Sequence, residues 1–258
     1  MFELLLIGLW AAFAGVDFYS GQFYFGRPIV TGPVVGLILG DYQTGLAVGA
    51  ALELAWLGLV PIAGAQPPNV TIGAVVGTAF AIKGNLDPAV VVGIALPFAI
   101  LMQQLIVLQF TVFSGLMHKA DKLAENADDK GIARINYLGM FTLGTLYFIV
   151  AILPVYYGET VANSIIQYVP EKIIDGLKIA GGLMPALGFA MLLKMMFKRD
   201  FIPFFIGGFA AMTYLGLPIL AVAIFATCVA AIDYMTREYI NKNKSNNTPS
   251  TPTQGGGI

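Results

Sequence analysis

Three stretches of this chain, residues 88–117, 135–158 and 201–232, contain no Asp, Glu, Lys, Arg or His. Each is longer than the roughly 20 apolar residues that cross a bilayer as a helix. A backbone in hydrocarbon must satisfy its own hydrogen bonds, which leaves helices or closed barrels. Barrel strands alternate apolar and polar residues over short segments, and these stretches do not alternate. The chain is therefore read as an all-α integral membrane protein. Composition agrees: 57% of residues are hydrophobic and 11% charged, against about 25% charged in a soluble domain. The net charge of −1 gives no sign of a nucleic-acid partner. The single cysteine, Cys228, lies in an apolar stretch, reads as a packing residue and rules out a disulfide within the chain.

Positive charge gives an orientation. Lys and Arg gather at residues 118–134, at 194–200 and after Tyr234, where Arg237, Lys242 and Lys244 fall. Cytoplasmic loops carry such an excess, so all three groups are placed inside. Spans at about 88–117, 135–158 and 173–193 then alternate in direction, with the segment between the last two outside. A hairpin over about 201–236 starts and ends inside, and "YLGLP" at 214–218 interrupts it. Its first arm is too short for a full crossing and reads as re-entrant. The first segment, "MFELLLIGLWAAFAGVDF", lacks a basic start and is read as mature membrane structure, not a signal peptide. The membrane domain is read as 1–240, with 241–258 a disordered cytoplasmic tail.

Residues 1–87 differ from the rest: their apolar segments are short and punctuated by Gly and Pro. Segments of that length fit re-entrant elements whose broken backbone is buried in protein or lines a wet cavity. The central break is "AGAQPPN" at 63–69. Pro67 and Pro68 lack an N–H and push the preceding residues out of the α region. Discontinuous helices of this kind build substrate sites in transporters. Glu53 is the only Asp, Glu, Lys, Arg or His between Asp41 and Lys83, and a carboxylate at such depth needs a partner or a cavity. Glu53, Gln66 and Asn69 together supply acceptors and donors suited to sugar hydroxyls, and a substrate site is the reading carried forward. The competing reading is that Glu53 pairs with Arg27 or caps a helix while the amides satisfy the broken backbone. Asp17, Gln22 and Arg27 are secondary candidates in an aromatic-rich segment that reads equally well as a membrane-interface belt. Asp41 reads as a turn or helix-cap acid, and His118 as a solvated helix-end residue. The sequence shows no metal-ligand cluster, phosphate-binding glycine loop or nucleophile constellation, so no cofactor, metal or catalytic residue is assigned. The residues alone leave two transport mechanisms open: a phosphorylation-coupled permease, or an ion-coupled secondary sugar transporter with Glu53 as proton carrier.

A resemblance decides between them. "QFYFGRPIVTGPVVGLILGDYQTGLAVGAALELAWLGLVPIAGAQPPN", with "ADKLAENAD" at 120–128 and "IAGGLMPALGFAMLLKMMFK" at 179–198, resembles the membrane IIC subunit of mannose-class sugar phosphotransferase systems. "QPPN" and "GGLMPALGF" are similar to its amino-sugar branch, which handles N-acetylgalactosamine or galactosamine; mannose, fructose or sorbose is the alternative substrate. The resemblance implies a bacterial cytoplasmic-membrane protein that binds sugar jointly with a homologous IID membrane subunit. It further implies a mobile core domain against a V-shaped scaffold, and a trimer of IIC–IID pairs. Soluble IIA and IIB subunits would carry the phosphoryl group, so none of that chemistry is expected on this chain.

Overall fold

The computed structural model describes residues 1–59, 67–168 and 171–246. The described residues are helical throughout apart from short turns: α1 (Phe2–Tyr19), α2 (Pro28–Leu39), α3 (Tyr42–Trp56), α4 (Val70–Gly84), α5 (Pro88–Glu125), α6 (Asp129–Tyr168), α7 (Glu171–Met196), a 3₁₀ turn (Arg199–Phe201), α8 (Ile202–Leu215) and α9 (Ile219–Asn246). Helices α1, α5, α6, α7 and α9 each contain a segment long and apolar enough to cross a bilayer. The chain divides into two compact units, residues 1–195 and 196–258.

In the second unit, α8 is 14 residues long and ends where the sequence places its interruption. Gly216 adopts φ +62°, in the left-handed region open to glycine, and Leu217 donates back to the Ala211 carbonyl. Helix α9 continues through Asn246, so helix takes in the first six residues of the segment read as a tail; residues 247–258 lie outside the described ones. The long helices likewise outrun their uncharged stretches. α5 extends to Glu125 through residues 118–125, polar but good helix formers. α6 starts at Asp129 after a turn in which Ala127 takes φ +52° and Asp128 Oδ1 accepts from Gly131 N at 2.9 Å.

The first unit carries the short helices. α2, α3 and α4 have 12, 15 and 15 residues, all short of a span. α2 and α3 form a hairpin whose seam is glycine on both sides. A β-carbon on Gly45 would lie 2.6 Å from the Gly32 carbonyl oxygen and 2.7 Å from Gly36 Cα; one on Gly49 would lie 2.6 Å from the Pro28 carbonyl oxygen. The small-xxx-small spacing on each helix allows this backbone-to-backbone approach, the usual device where lipid removes any hydrophobic drive between helices. α1 runs antiparallel to α6, with Gly8 beside Phe148 and Ile152 and Gly144 beside Val16. Ile7, Val35, Ile72, Val76, Phe80, Met102 and Tyr147 fill the core between these helices.

One contact fixes the depth of α4. Asn69 N donates to the Ala99 carbonyl at 2.9 Å. Ala99 lies 11 residues into α5, or about 16 Å along its axis. That is half of a hydrocarbon core about 30 Å thick. α4 therefore starts near mid-membrane and runs toward the N-terminal end of α5.

Candidate functional site

Three helix ends meet at that depth: the start of α2, the end of α3 and the start of α4. Gly26, just before α2, packs against Thr71 in the first turn of α4 and the Ala14 carbonyl of α1. Asp17, buried near the end of α1, organises the segment leading there. Its Oδ1 accepts from Phe23 N at 3.0 Å and its Oδ2 from Phe25 N at 3.1 Å. Gln22, at φ +55°, is exposed on the same segment and donates its N–H to the Asp17 carbonyl at 2.7 Å.

Glu53, in the last turn of α3, meets Arg27 at the mouth of α2. Arg27 donates through Nε at 2.9 Å and also through Nη2 to the same carboxylate oxygen, Oε1. Oε2 accepts from Ile29 N at 3.3 Å. One carboxylate thus neutralises the guanidinium and caps α2, whose first residue, Pro28, has no N–H to offer. Both parts of the structural reading of Glu53 are present: it pairs with Arg27 and it caps a helix. The pair is not sealed, because the side chains keep 24% and 16% exposure. A carboxylate has about four acceptor positions, and three donors among the described residues reach this one.

Asn69 is the N-cap of α4. Its Oδ1 accepts from Ile72 N at 3.0 Å and its Nδ2 donates to Tyr147 Oη at 2.5 Å. Asn69 is 8% exposed and Tyr147 fully buried. The sequence reading gives Asn69 to a sugar; in the structure its amide also serves the fold, each half making one hydrogen bond within the chain. The physical reason is the break itself: a helix that starts inside the membrane must cap its own first turn. Pro67 and Pro68 precede it as non-helical residues. Gln66 lies outside the described residues. Asp41 caps α3 through Thr44 N at 3.0 Å. It stands 12 residues from Glu53, about 18 Å along the helix, and is not part of the junction. His118 is exposed on α5.

Tyr147 and the glycine seam were missed by sequence reasoning. The Gly32/Gly36 and Gly45/Gly49 spacing is a readable signal. Tyr147, in the uncharged stretch of α6, looks like any packing aromatic, and only the fold brings it to Asn69.

Comparison with known proteins fixes the family. Residues 1–232 match the family model described as the PTS system sorbose-specific IIC component. The chain belongs to this IIC family. It is 36% identical over 221 residues to the N-acetylgalactosamine permease IIC component 1 of Escherichia coli K12, covering 85% of this chain and 83% of that one. Among solved structures, one titled as a membrane protein superposes with a TM-score of 0.83 at 28% identity, over 91% of this chain and 96% of the other. A chain from the cryo-EM structure of the mannose transporter ManYZ in complex with microcin E492 superposes with a TM-score of 0.59 at 27% identity, over 91% and 95% of the two chains. The IIC chain is thus an integral membrane protein, and a family built on a phosphotransferase complex fits one that works beside a membrane partner. Its mid-depth junction lies wholly within the matched residues.

Proposed function

We propose that this chain is the sugar-binding and translocating IIC component of an amino-sugar phosphotransferase system, with N-acetylgalactosamine or galactosamine as substrate. The observation that carries the substrate class is the 36% identity over most of both chains to an N-acetylgalactosamine permease component. The junction of α2, α3 and α4 is the proposed sugar site: it lies near mid-membrane, and the part-exposed Glu53 carboxylate suits a sugar hydroxyl. Asp17 and Gln22 shape the segment that leads Arg27 into it. The ion-coupled alternative needs Glu53 to exchange protons during transport, and its engagement by Arg27 and Ile29 N argues against that role.

The partners are a IID membrane subunit completing the site, and soluble IIB and IIA subunits delivering the phosphoryl group; the working assembly is a trimer of IIC–IID pairs in the bacterial cytoplasmic membrane. The basic clusters orient α5 with its C-terminal end inside and leave the tail in the cytoplasm. Because α1 runs antiparallel to α6, the N-terminus then lies outside. The test is a transport assay in cells carrying all four components. Uptake of labelled N-acetylgalactosamine must yield sugar phosphate inside and must stop when this chain alone is deleted. Undiminished uptake in the deletion would refute the assignment.

A further inference from the structure

The chain has two tryptophans, Trp10 and Trp56, and their indole nitrogens differ. Trp10 Nε1 donates to Thr31 Oγ1 at 3.3 Å. Trp56 is 1% exposed, and its Nε1–H has no hydrogen-bond partner among the described residues. An indole N–H can only donate, and a buried donor without an acceptor is costly enough that folded proteins keep few of them.

The position of this donor gives it meaning. Trp56 is the last residue of α3, three residues beyond Glu53, a spacing that puts the two on neighbouring positions of one helix face. The far edge of its six-membered ring abuts Gly73, in the first turns of α4, and a side chain at Gly73 would collide with that edge. The nitrogen belongs to the other ring, beyond the atoms that make this contact. Trp56 therefore spans the junction from the end of α3 to the start of α4. Of the polar side chains that the sequence singles out there, Arg27, Glu53 and Asn69 have partners within the chain, and Gln66 lies outside the described residues. The Trp56 donor has no partner among the described residues.

We propose that Trp56 Nε1–H is a substrate-binding donor that takes an oxygen of the sugar bound at the junction. Hydroxyl, ring and acetamido oxygens of an amino sugar all accept hydrogen bonds. A donor in an apolar surround gains more from an acceptor than one in open water does. Its near-complete burial means that the sugar meets it when the junction opens, as a carrier that alternates between closed and open forms requires. This inference deepens the amino-sugar reading and depends on it.

The experiment compares the wild-type IIC–IID complex with Trp56→Phe, which keeps ring packing and deletes the N–H. Binding of N-acetylgalactosamine and of galactosamine is measured by calorimetry, and unfolding is measured without sugar. The expected result is about tenfold weaker binding of at least one sugar, equivalent to about 1.4 kcal/mol, with unchanged or raised sugar-free stability. Wild-type affinity for both sugars in the variant overturns the proposal. So does a loss of sugar-free stability, which would reveal a partner inside the protein. Wild-type complex that binds neither sugar would instead overturn the amino-sugar reading. Should the variant fail to assemble, ¹⁵N-indole NMR of the labelled wild-type chain with unlabelled partner decides. The Trp56 N–H resonance, assigned against Trp10→Phe, must move downfield on adding sugar; a resonance that stays put refutes the contact.

Discussion

Replacing Glu53 with Gln separates its two roles. The carboxylate receives Arg27 Nε at 2.9 Å, Arg27 Nη2, and Ile29 N at 3.3 Å. Glutamine keeps the shape but loses the charge, and its amide nitrogen faces donors it cannot accept from. Hydrogen bonds to charged groups contribute about 1.5–3 kcal/mol each, and breaking a fully buried pair costs about 3–5 kcal/mol. With the two side chains 24% and 16% exposed, solvent screens part of that, and about 2–3 kcal/mol is expected. Arg27→Gln should cost a similar amount. The double variant no longer leaves a lone charge, so its loss should fall short of the sum by about 1.5 kcal/mol or more. Denaturant unfolding of the purified complex measures all four forms. Additive losses would refute the pairing. Sugar affinity should behave differently: Glu53→Gln weakens it, and the double variant does not recover it, because the acceptor offered to a sugar hydroxyl is still missing. A double variant with wild-type affinity would reduce Glu53 to a structural latch.

Asn69→Ala removes the α4 cap and leaves both Ile72 N and Tyr147 Oη unpaired; a loss of about 2–3 kcal/mol is expected, with Tyr147→Phe costing about 1 kcal/mol, both read by thermal unfolding. Gly45→Leu should prevent assembly of the α2–α3 hairpin, since a β-carbon there would sit 2.6 Å from the Gly32 carbonyl oxygen, whereas Gly115→Ala, in open space on α5, should be neutral or stabilising; detergent-resistant expression levels report both. Asp87 caps α5 through Ala89 N at 2.9 Å and pairs with Lys178 at 3.1 Å, which hold its carboxyl below the ordinary value of 3.8. A depressed carboxyl stabilises the fold above its unfolded value and loses that contribution as pH falls through the folded one. Asp87→Asn should therefore lower stability by less than about 1 kcal/mol near neutral pH, the pair being half-exposed, and make no difference once pH has fallen well below the depressed folded value; an equal effect under both conditions would exclude this linkage.

The fold class was legible because the uncharged stretches at 88–117, 135–158 and 201–232 each exceed a bilayer span. The short elements before them were legible as broken helices from Gly and Pro density. Helix ends were not, since polar residues 118–125 continue α5 into water as readily as a loop would. At the junction, local sequence marked Glu53, Arg27 and Asn69 as residues with something to satisfy, but not by whom. The Arg27–Glu53 pair joins residues 26 apart and the Asn69–Tyr147 bond residues 78 apart. Such long-range pairings are set by packing, here by glycine contacts that let α2 reach α3 and α1 reach α6. Trp56 illustrates the limit further: an apolar aromatic in an apolar helix carries no mark that its one donor will find no partner among the described residues.

The most direct test reconstitutes this chain with its IID partner in vesicles and supplies N-acetylgalactosamine on the outer face. With phosphoenolpyruvate and the soluble phosphocarriers enclosed, sugar must appear inside as its phosphate, at a rate indifferent to dissipation of the proton gradient. Accumulation of free sugar driven by that gradient, with no phosphoenolpyruvate present, would contradict the account.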